Sequence, residues 1–288
     1  MKTFGLKLSM IAHMMEMQDS MNTMIIGRDW VDSITHENVD FLAAMSAEAG
    51  EFPDHMGFKW WKKQEADVHQ AKLELVDIFH FMISHIAQVN FGLLNAVNDR
   101  NGDSGFSLPE LKSISLDNAV ATVQLGMTRF IENSKCGEHI AEFHEMKEID
   151  EKRKRLCRAV RRVVEMLEFD NISEAMKKEE GRRGISDIMA EAAEEFMVCC
   201  GLIEMSGKEL YLNYVGKNVL NRFRQDNGYK DGSYVKIWNG REDNQVLEAF
   251  IVTQTKLDND TTLDYEAAVY QHLQRHYPKN ADAKAKSA

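Results

Sequence analysis

The chain contains only three prolines in 288 residues, four cysteines and no apolar run long enough to cross a bilayer. Each scarcity excludes something. With few prolines and few paired glycines, little interrupts the long stretches of helix formers, and with 17 methionines the composition favours an all-α helical bundle. Cys136, Cys157, Cys199 and Cys200 form no C-x-x-C pair and have no zinc-like spacing to histidine, so a reduced, cytoplasmic setting is the expected one. The N-terminal MKTFGLKLSMIAHMMEMQD is apolar, but acids and amides interrupt it before a signal or membrane segment is complete, so neither export nor anchoring is expected. Positive charge is also short: 35 Lys and Arg against 46 Asp and Glu leave a net charge of -11. Wholesale binding to nucleic acid or to an anionic membrane is excluded on that ground, and an anionic ligand must be met by a local basic patch or by a metal.

Met10, Met14, Met17, Met21 and Met24 recur at helical spacing, the pattern of a flexible core stripe. A second helix is expected over Glu37 to Phe52, capped by Ser33 or Thr35 and closed by Pro53, with the irregular PDHMGFKWWKK after it. From Glu65 to about Leu94 the apolar pattern is again helical. NDRNGDSG reads as a loop, and Ser107-Leu108-Pro109-Glu110 as a helix start. The basic residues of EIDEKRKRLCRAVRRVVEML alternate with acids round the helix, which predicts a solvated or salt-bridged face. The organisation expected is one all-α catalytic domain over 1–277, with a helical insertion or lid at about 101–183 that the loop at 99–106 and the glycines 181 and 184 would let move as a unit. A disordered polar tail is expected over 278–288.

Within LELVDIFHF the apolar residues cover most of the helix circumference, yet Glu74 and Asp77 stand three apart on one face and His80 continues the line. Glu48 and Glu51 in AMSAEAGEF repeat the arrangement. Were the two helices to form an antiparallel hairpin, four carboxylates would face one another in the bundle. Such charges raise one another's pKa, and a divalent metal removes the conflict. All-oxygen donors suit Mg²⁺ or Mn²⁺. The competing di-iron arrangement is marked by Glu-x-x-His, which the sequence lacks. A similar string, AEAAEEF at 190–196, has no acid pair on a following apolar helix and is expected to be a solvated face.

A second informative stretch is YVGKNVLNRFRQDNGYKDGSYVKIWNG. Lys217, Asn221 and Arg224 share one face of a helix ending near Asp226, Asn227-Gly228 and Asp231-Gly232 make turns, and Tyr229 and Lys236 follow. These cations, an amide and a phenol can each donate to phosphate oxygen, and acids that hold metal beside bases that hold phosphate describe a nucleotide polyphosphate site. Gln18 and Asn22, one turn apart in MQDSMN, carry amides able to read a pyrimidine edge, and Trp60 or Trp61 would supply an aromatic wall.

MQDSMN, AEAGEF, FKWWK, LELVDIFHF and KNVLNRFRQDNGYKDGSYVKIWNGREDN occur in the order found in the dimeric all-α dUTPases, which this chain resembles over about residues 14–95 and 209–245. It is also similar to the phage dCTPase-dUTPases through LVDIFHF and RQDNGY, all being MazG-like all-α nucleoside triphosphate pyrophosphohydrolases. The resemblance implies that Glu48, Glu51, Glu74 and Asp77 hold two or more Mg²⁺ ions, with Mn²⁺ as a substitute. It implies that Gln18, Asn22, Trp60 and His80 surround uracil and deoxyribose, and that Lys217, Asn221, Arg224, Tyr229 and Lys236 hold the phosphates. Hydrolysis of dUTP to dUMP and pyrophosphate with a carboxylate base, and a homodimer, are implied with it; among the four acids Glu48 is the base expected here, and the methionine seam at 10–24 offers apolar area for part of the dimer interface. The competing readings are a dCTP or broader dNTP pyrophosphohydrolase, a non-hydrolytic nucleotide sensor, and a structural bundle whose acids face solvent.

Overall fold

A helix that is apolar on nearly every side must be covered on nearly every side. The computed structural model describes residues 4–59, 61–101, 105–168, 184–255 and 265–278, and in it the covered helix is α3 (Val68–Asn101). Around it stand α1 (Leu8–Ile25), α2 (Phe41–His55), α4 (Leu108–Glu132) and α7 (Ile185–Leu202). The sheath is completed by α5 (Ser134–Glu145), which lies on α4 and α7, and α6 (Ile149–Leu167), which lies on α7 and α2. Leu75, Val76, Ile78, Phe79, Met82, Ile83 and Ile86 of α3 are fully or almost fully removed from solvent, and Phe79 stacks on Phe196 of α7 with ring centroids 5.0 Å apart.

By its internal contacts the chain divides into two compact units, Met1–Gly207 and Lys208–Ala288. The second is built on α8 (Gly207–Asp226), α9 (Asp243–Thr255) and α10 (Tyr265–His276). Its β1 (Ile237–Trp238) and β2 (Arg241–Glu242) pair antiparallel, Trp238 opposite Arg241. The Asn239-Gly240 turn between them has both residues at positive φ, 51° and 81°, the geometry of a tight hairpin. This ladder is the only sheet among the described residues, so the fold is all-α as expected. No helix among those residues is long and apolar enough to cross a membrane.

Local chemistry sets the helix ends, in places against expectation. Glu110 Oε2 accepts from both the backbone N–H and the hydroxyl of Ser107, so Ser107-Leu108-Pro109-Glu110 is a helix start as read. In contrast, α2 begins at Phe41 rather than Glu37, because Asp40 caps it by accepting from the Ala43 N–H at 2.8 Å. Ser33 and Thr35 lie in a turn where Asp32 accepts from Ile34 N–H and from the Thr35 hydroxyl. Nor does Pro53 close α2: a proline so near the end forfeits one backbone bond, and the helix runs on to His55. The next helix likewise continues past Leu94 through the Asn-Asp-Arg-Asn stretch read as loop.

Met10, Met14, Met15, Met17 and Met21 are buried within the chain's own core, which leaves Met24 at 40% and Ile25 at 47% exposure. The core-stripe reading therefore holds for the buried methionines, and the apolar area this segment leaves open is that of Met24 and Ile25. AEAAEEF is not a solvated face either. Ala190, Ala192, Ala193 and Phe196 are buried, and burial raises the Glu195 carboxyl above the usual range with Arg162 opposing it. Within 101–183, α4, α5 and α6 pack into the first unit. The expected hinge glycine 181 and the tail over 279–288 lie outside the described residues.

The approach of α4 to α7 depends on Gly126. A Cβ there would stand 2.5 Å from the Ala190 carbonyl oxygen and 2.6 Å from the Ala193 Cβ, so the helices would have to separate. Gly126→Ala is expected to cost about 1–3 kcal/mol of stability through overpacking, measured by urea denaturation. An unchanged midpoint would show that the two backbones do not approach this closely.

Candidate functional site

On α2, Glu48, Glu51 and His55 stand at intervals of three and four residues and so share a face. On α3, Glu74 and Asp77 do the same, and α2 packs along α3. One donor atom from each of Glu48, Glu74 and Asp77 lies within 4.8 Å of the other two, and the same holds for Glu51, His55 and Glu74. Glu74 belongs to both groups and is the deepest, at 8% exposure; Glu48 and Asp77 are half-buried and Glu51 is exposed. His55 Nε2 lies 3.2 Å from Glu74 Oε1. All four acids named from the sequence are thus gathered about one buried carboxylate, with a histidine that the sequence reading passed over because it placed the helix end before Pro53. Carboxylates crowded this way repel, and a hard divalent cation is the partner that relieves them.

The polar side continues along α3. Asp77, His80, Ser84 and Gln88 recur at three- and four-residue spacing. Asn22 donates its amide to Ser84 Oγ at 3.0 Å, Gln18 donates to Asn22 Oδ1 at 3.0 Å, and Ser84 in turn donates to the His80 carbonyl. Gln18 and Asn22 are both buried, which places the two carboxamides on the polar stripe that begins at the acids. His80 Nδ1 lies 2.8 Å from the Val76 carbonyl and 3.9 Å from Asp77 Oδ1, a position beside the acids. Trp60 lies outside the described residues. Trp61 is largely exposed.

Sequence reasoning missed Asp19, which follows Gln18. Its Oδ1 accepts from Trp30 Nε1 at 2.7 Å and from Lys112 Nζ at 2.6 Å, and Gln88 donates to the Trp30 carbonyl. This node fastens the 26–40 connection to α1, α3 and α4. It also edges a cavity of about 620 Å³ lined by Thr23, Val31, Phe91, Leu108 and Lys112, which holds none of the catalytic or binding residues picked out from the sequence. Its carboxylates are already engaged, Asp19 by Lys112, Asp29 by His36 and Asp32 by the Thr35 hydroxyl.

In the second unit, Lys217 is buried on α8 and Asn221 and Arg224 follow on the same face. Arg224 does not stand open. Its Nε and Nη2 donate to the two oxygens of Asp243 at 2.8 and 2.9 Å, and Nη1 donates to Asn221 Oδ1 at 3.2 Å. Asp243 is fully buried at the start of α9 and also accepts from the Tyr234 hydroxyl at 2.8 Å. Burial alone would raise its carboxyl; hydrogen bonds and charge from Arg224, with the Tyr234 bond, outweigh that and hold it below the usual value. Tyr229 is 52% exposed and rests against Tyr234, and Lys236 pairs with Glu242 at 3.6 Å near solvent.

Asp243→Ala would strand the Arg224 guanidinium in a half-buried place, at a cost of about 3–5 kcal/mol at neutral pH. Because the folded carboxyl titrates below its ordinary value, the pair's contribution is present above about pH 4 and is lost as pH falls through the lowered folded value. The stability gap between the two proteins, followed by denaturant unfolding from pH 7 to pH 3, should narrow at the acid end. A gap that stayed constant would assign the cost to packing rather than to the charge pair.

No curated protein matches the chain. A family model described as dUTPase matches residues 10–229, running from α1 through the acids and the 101–183 stretch to the end of α8. The match covers well over half of the chain and accords with its all-helical fold and gathered carboxylates. The chain therefore belongs to the all-α dUTPase family, and its role is that of a nucleotide pyrophosphohydrolase.

Proposed function

We propose that the chain hydrolyses dUTP to dUMP and pyrophosphate with Mg²⁺, two or more ions being held by Glu48, Glu51, Glu74 and Asp77, and Mn²⁺ able to substitute. The observation that carries this reading is the meeting of two donor groups at Glu74 in a chain of this family. The donor chemistry fits: Glu48, Glu74 and Asp77 present oxygen alone, and such a set leaves positions for water and phosphate. When bound, the cation would offset the charge of acids and substrate and lower the pKa of water. Glu48, half-buried at the edge of the group, accepts the proton of the attacking water, and the bond broken is the P–O link between the α and β phosphates.

Gln18 and Asn22 orient the base, and His80 and Trp60 complete its surroundings. Because an amide presents a donor or an acceptor according to its rotation, dCTP remains the runner-up substrate. Lys217, Asn221, Arg224, Tyr229 and Lys236 are the phosphate-binding residues of this reading. A homodimer and a cytoplasmic setting belong to it too. The first is supported by apolar Leu93, Val97 and Leu108 exposed on α3 and α4, the second by four free cysteines.

Glu74→Gln and Asp77→Asn should each abolish pyrophosphate release from a dNTP panel with Mg²⁺ while the far-ultraviolet spectrum is kept and the Tm of the metal-free protein holds or rises. Near-normal turnover in both would overturn the metal assignment. Tight nucleotide binding without release by the native protein would instead favour a sensor. Arg224 is a poor probe of phosphate contact, since removing it strands Asp243. Lys236→Ala is the cleaner one, its exposed ion pair being worth little. Triphosphate binding should weaken by about 1.5–3 kcal/mol and deoxyuridine binding should not change, both by calorimetry. Equal losses would remove Lys236 from the phosphate site.

A further inference from the structure

We infer that His55 makes the two donor groups of the acidic site chemically unlike, so that one position suits Mg²⁺ and the other selects a nitrogen-seeking divalent cation such as Mn²⁺ or Zn²⁺. The inference rests on the metal-site reading above and concerns only which cation each position takes. Glu48, Glu74 and Asp77 offer oxygen donors alone, whereas Glu51, His55 and Glu74 offer two oxygens and an imidazole nitrogen within the same 4.8 Å. Mg²⁺ has little use for nitrogen. Imidazole raises affinity along the first-row series towards zinc, so a single histidine is enough to separate the two positions.

The geometry argues for ligation over chance proximity. His55 stands one turn after Glu51 on α2, so the two side chains project together. Its Nε2 faces Glu74 Oε1 across 3.2 Å, and a cation between that nitrogen and the carboxylates would replace the contact. The His55 side chain is about one-third exposed while that of Glu74 is about one-tenth exposed, so the pair stands at the boundary between solvent and core. The position exists because α2 continues through Pro53. Were the helix to stop there, His55 would lie on the following connection, out of step with Glu51.

The test uses the full chain and its His55→Gln variant, which keeps an amide donor for Glu74 but removes the imidazole. Titration calorimetry with Mn²⁺, Zn²⁺ and Mg²⁺ is paired with ¹⁵N spectra of the histidine rings of the native chain, the His55 signals being assigned by through-bond correlation to its own backbone. Expected are a fall of at least about tenfold in Mn²⁺ and Zn²⁺ affinity, unchanged Mg²⁺ binding, and a shift of the His55 Nε2 resonance with Zn²⁺ but not with Mg²⁺. Equal Mn²⁺ and Zn²⁺ affinities with an unmoved His55 resonance would reduce His55 to a hydrogen-bonding partner of Glu74 and overturn the inference alone. Should the native chain bind none of the three cations, the metal site of the proposed function would fall with it. The ring spectra come from the native protein, so they decide the matter even if the variant folds poorly.

Discussion

A carboxylate held at 8% exposure in the middle of an apolar helix is the constraint around which the first unit is arranged. Glu74 has Leu73, Leu75 and Val76 as neighbours, all buried, and turning α3 to hydrate it would expose them. The helices that cover α3 therefore lock Glu74 inward, and Asp77 and His80 with it. Because α2 is one of the covering helices, Glu48, Glu51 and His55 are brought to the same place by the apolar packing and not by their own charge, which opposes it. Stability and site are at odds here: hydrophobic burial supplies the free energy that keeps like charges together, and the binding of a cation would return some of it.

The second unit solves a different electrostatic problem. Arg224, Asp243, Tyr234 and Asn221 form a closed set in which each carboxylate oxygen accepts a guanidinium hydrogen and one accepts the tyrosine hydroxyl as well. This ties the last turn of α8 to the first residue of α9, with the short hairpin between them. Phe223, Trp238 and Tyr277 pack edge to face beneath it, their centroids 5.3–5.8 Å apart in pairs that also include Tyr270. The arginine that looks from the chain like a phosphate donor is first of all a structural clasp, and a donor only through what Nη1 has left.

Much of this could be read along the chain because it depends on local spacing. Glu48 with Glu51, and Glu74 with Asp77, are fixed to common faces by the 3.6-residue turn, and the apolar residues around the second pair announce its burial. The same rule found the methionine stripe and the Ser107 cap. It failed at the ends of α2, where Asp40 competed better than Ser33 or Thr35 for the cap and where a proline near a helix terminus proved tolerable. It failed again at residues 190–196, since whether Glu195 meets water or Arg162 depends on α6 being laid against α7.

What the sequence determined by itself is the helical class, the paired acids and the family, since each follows from periodicity or from motifs in order. Tertiary structure alone decided which residues those acids meet. His55 joins Glu74 across the α2–α3 packing, Asn22 reaches Ser84 sixty-two residues away, and Asp19 gathers Trp30 and Lys112. Asp243 takes the arginine that the motif had offered to phosphate. Each of these is a contact between distant parts of the chain, formed only when hydrophobic burial brings the helices together, and no periodicity within one helix carries information about its partner.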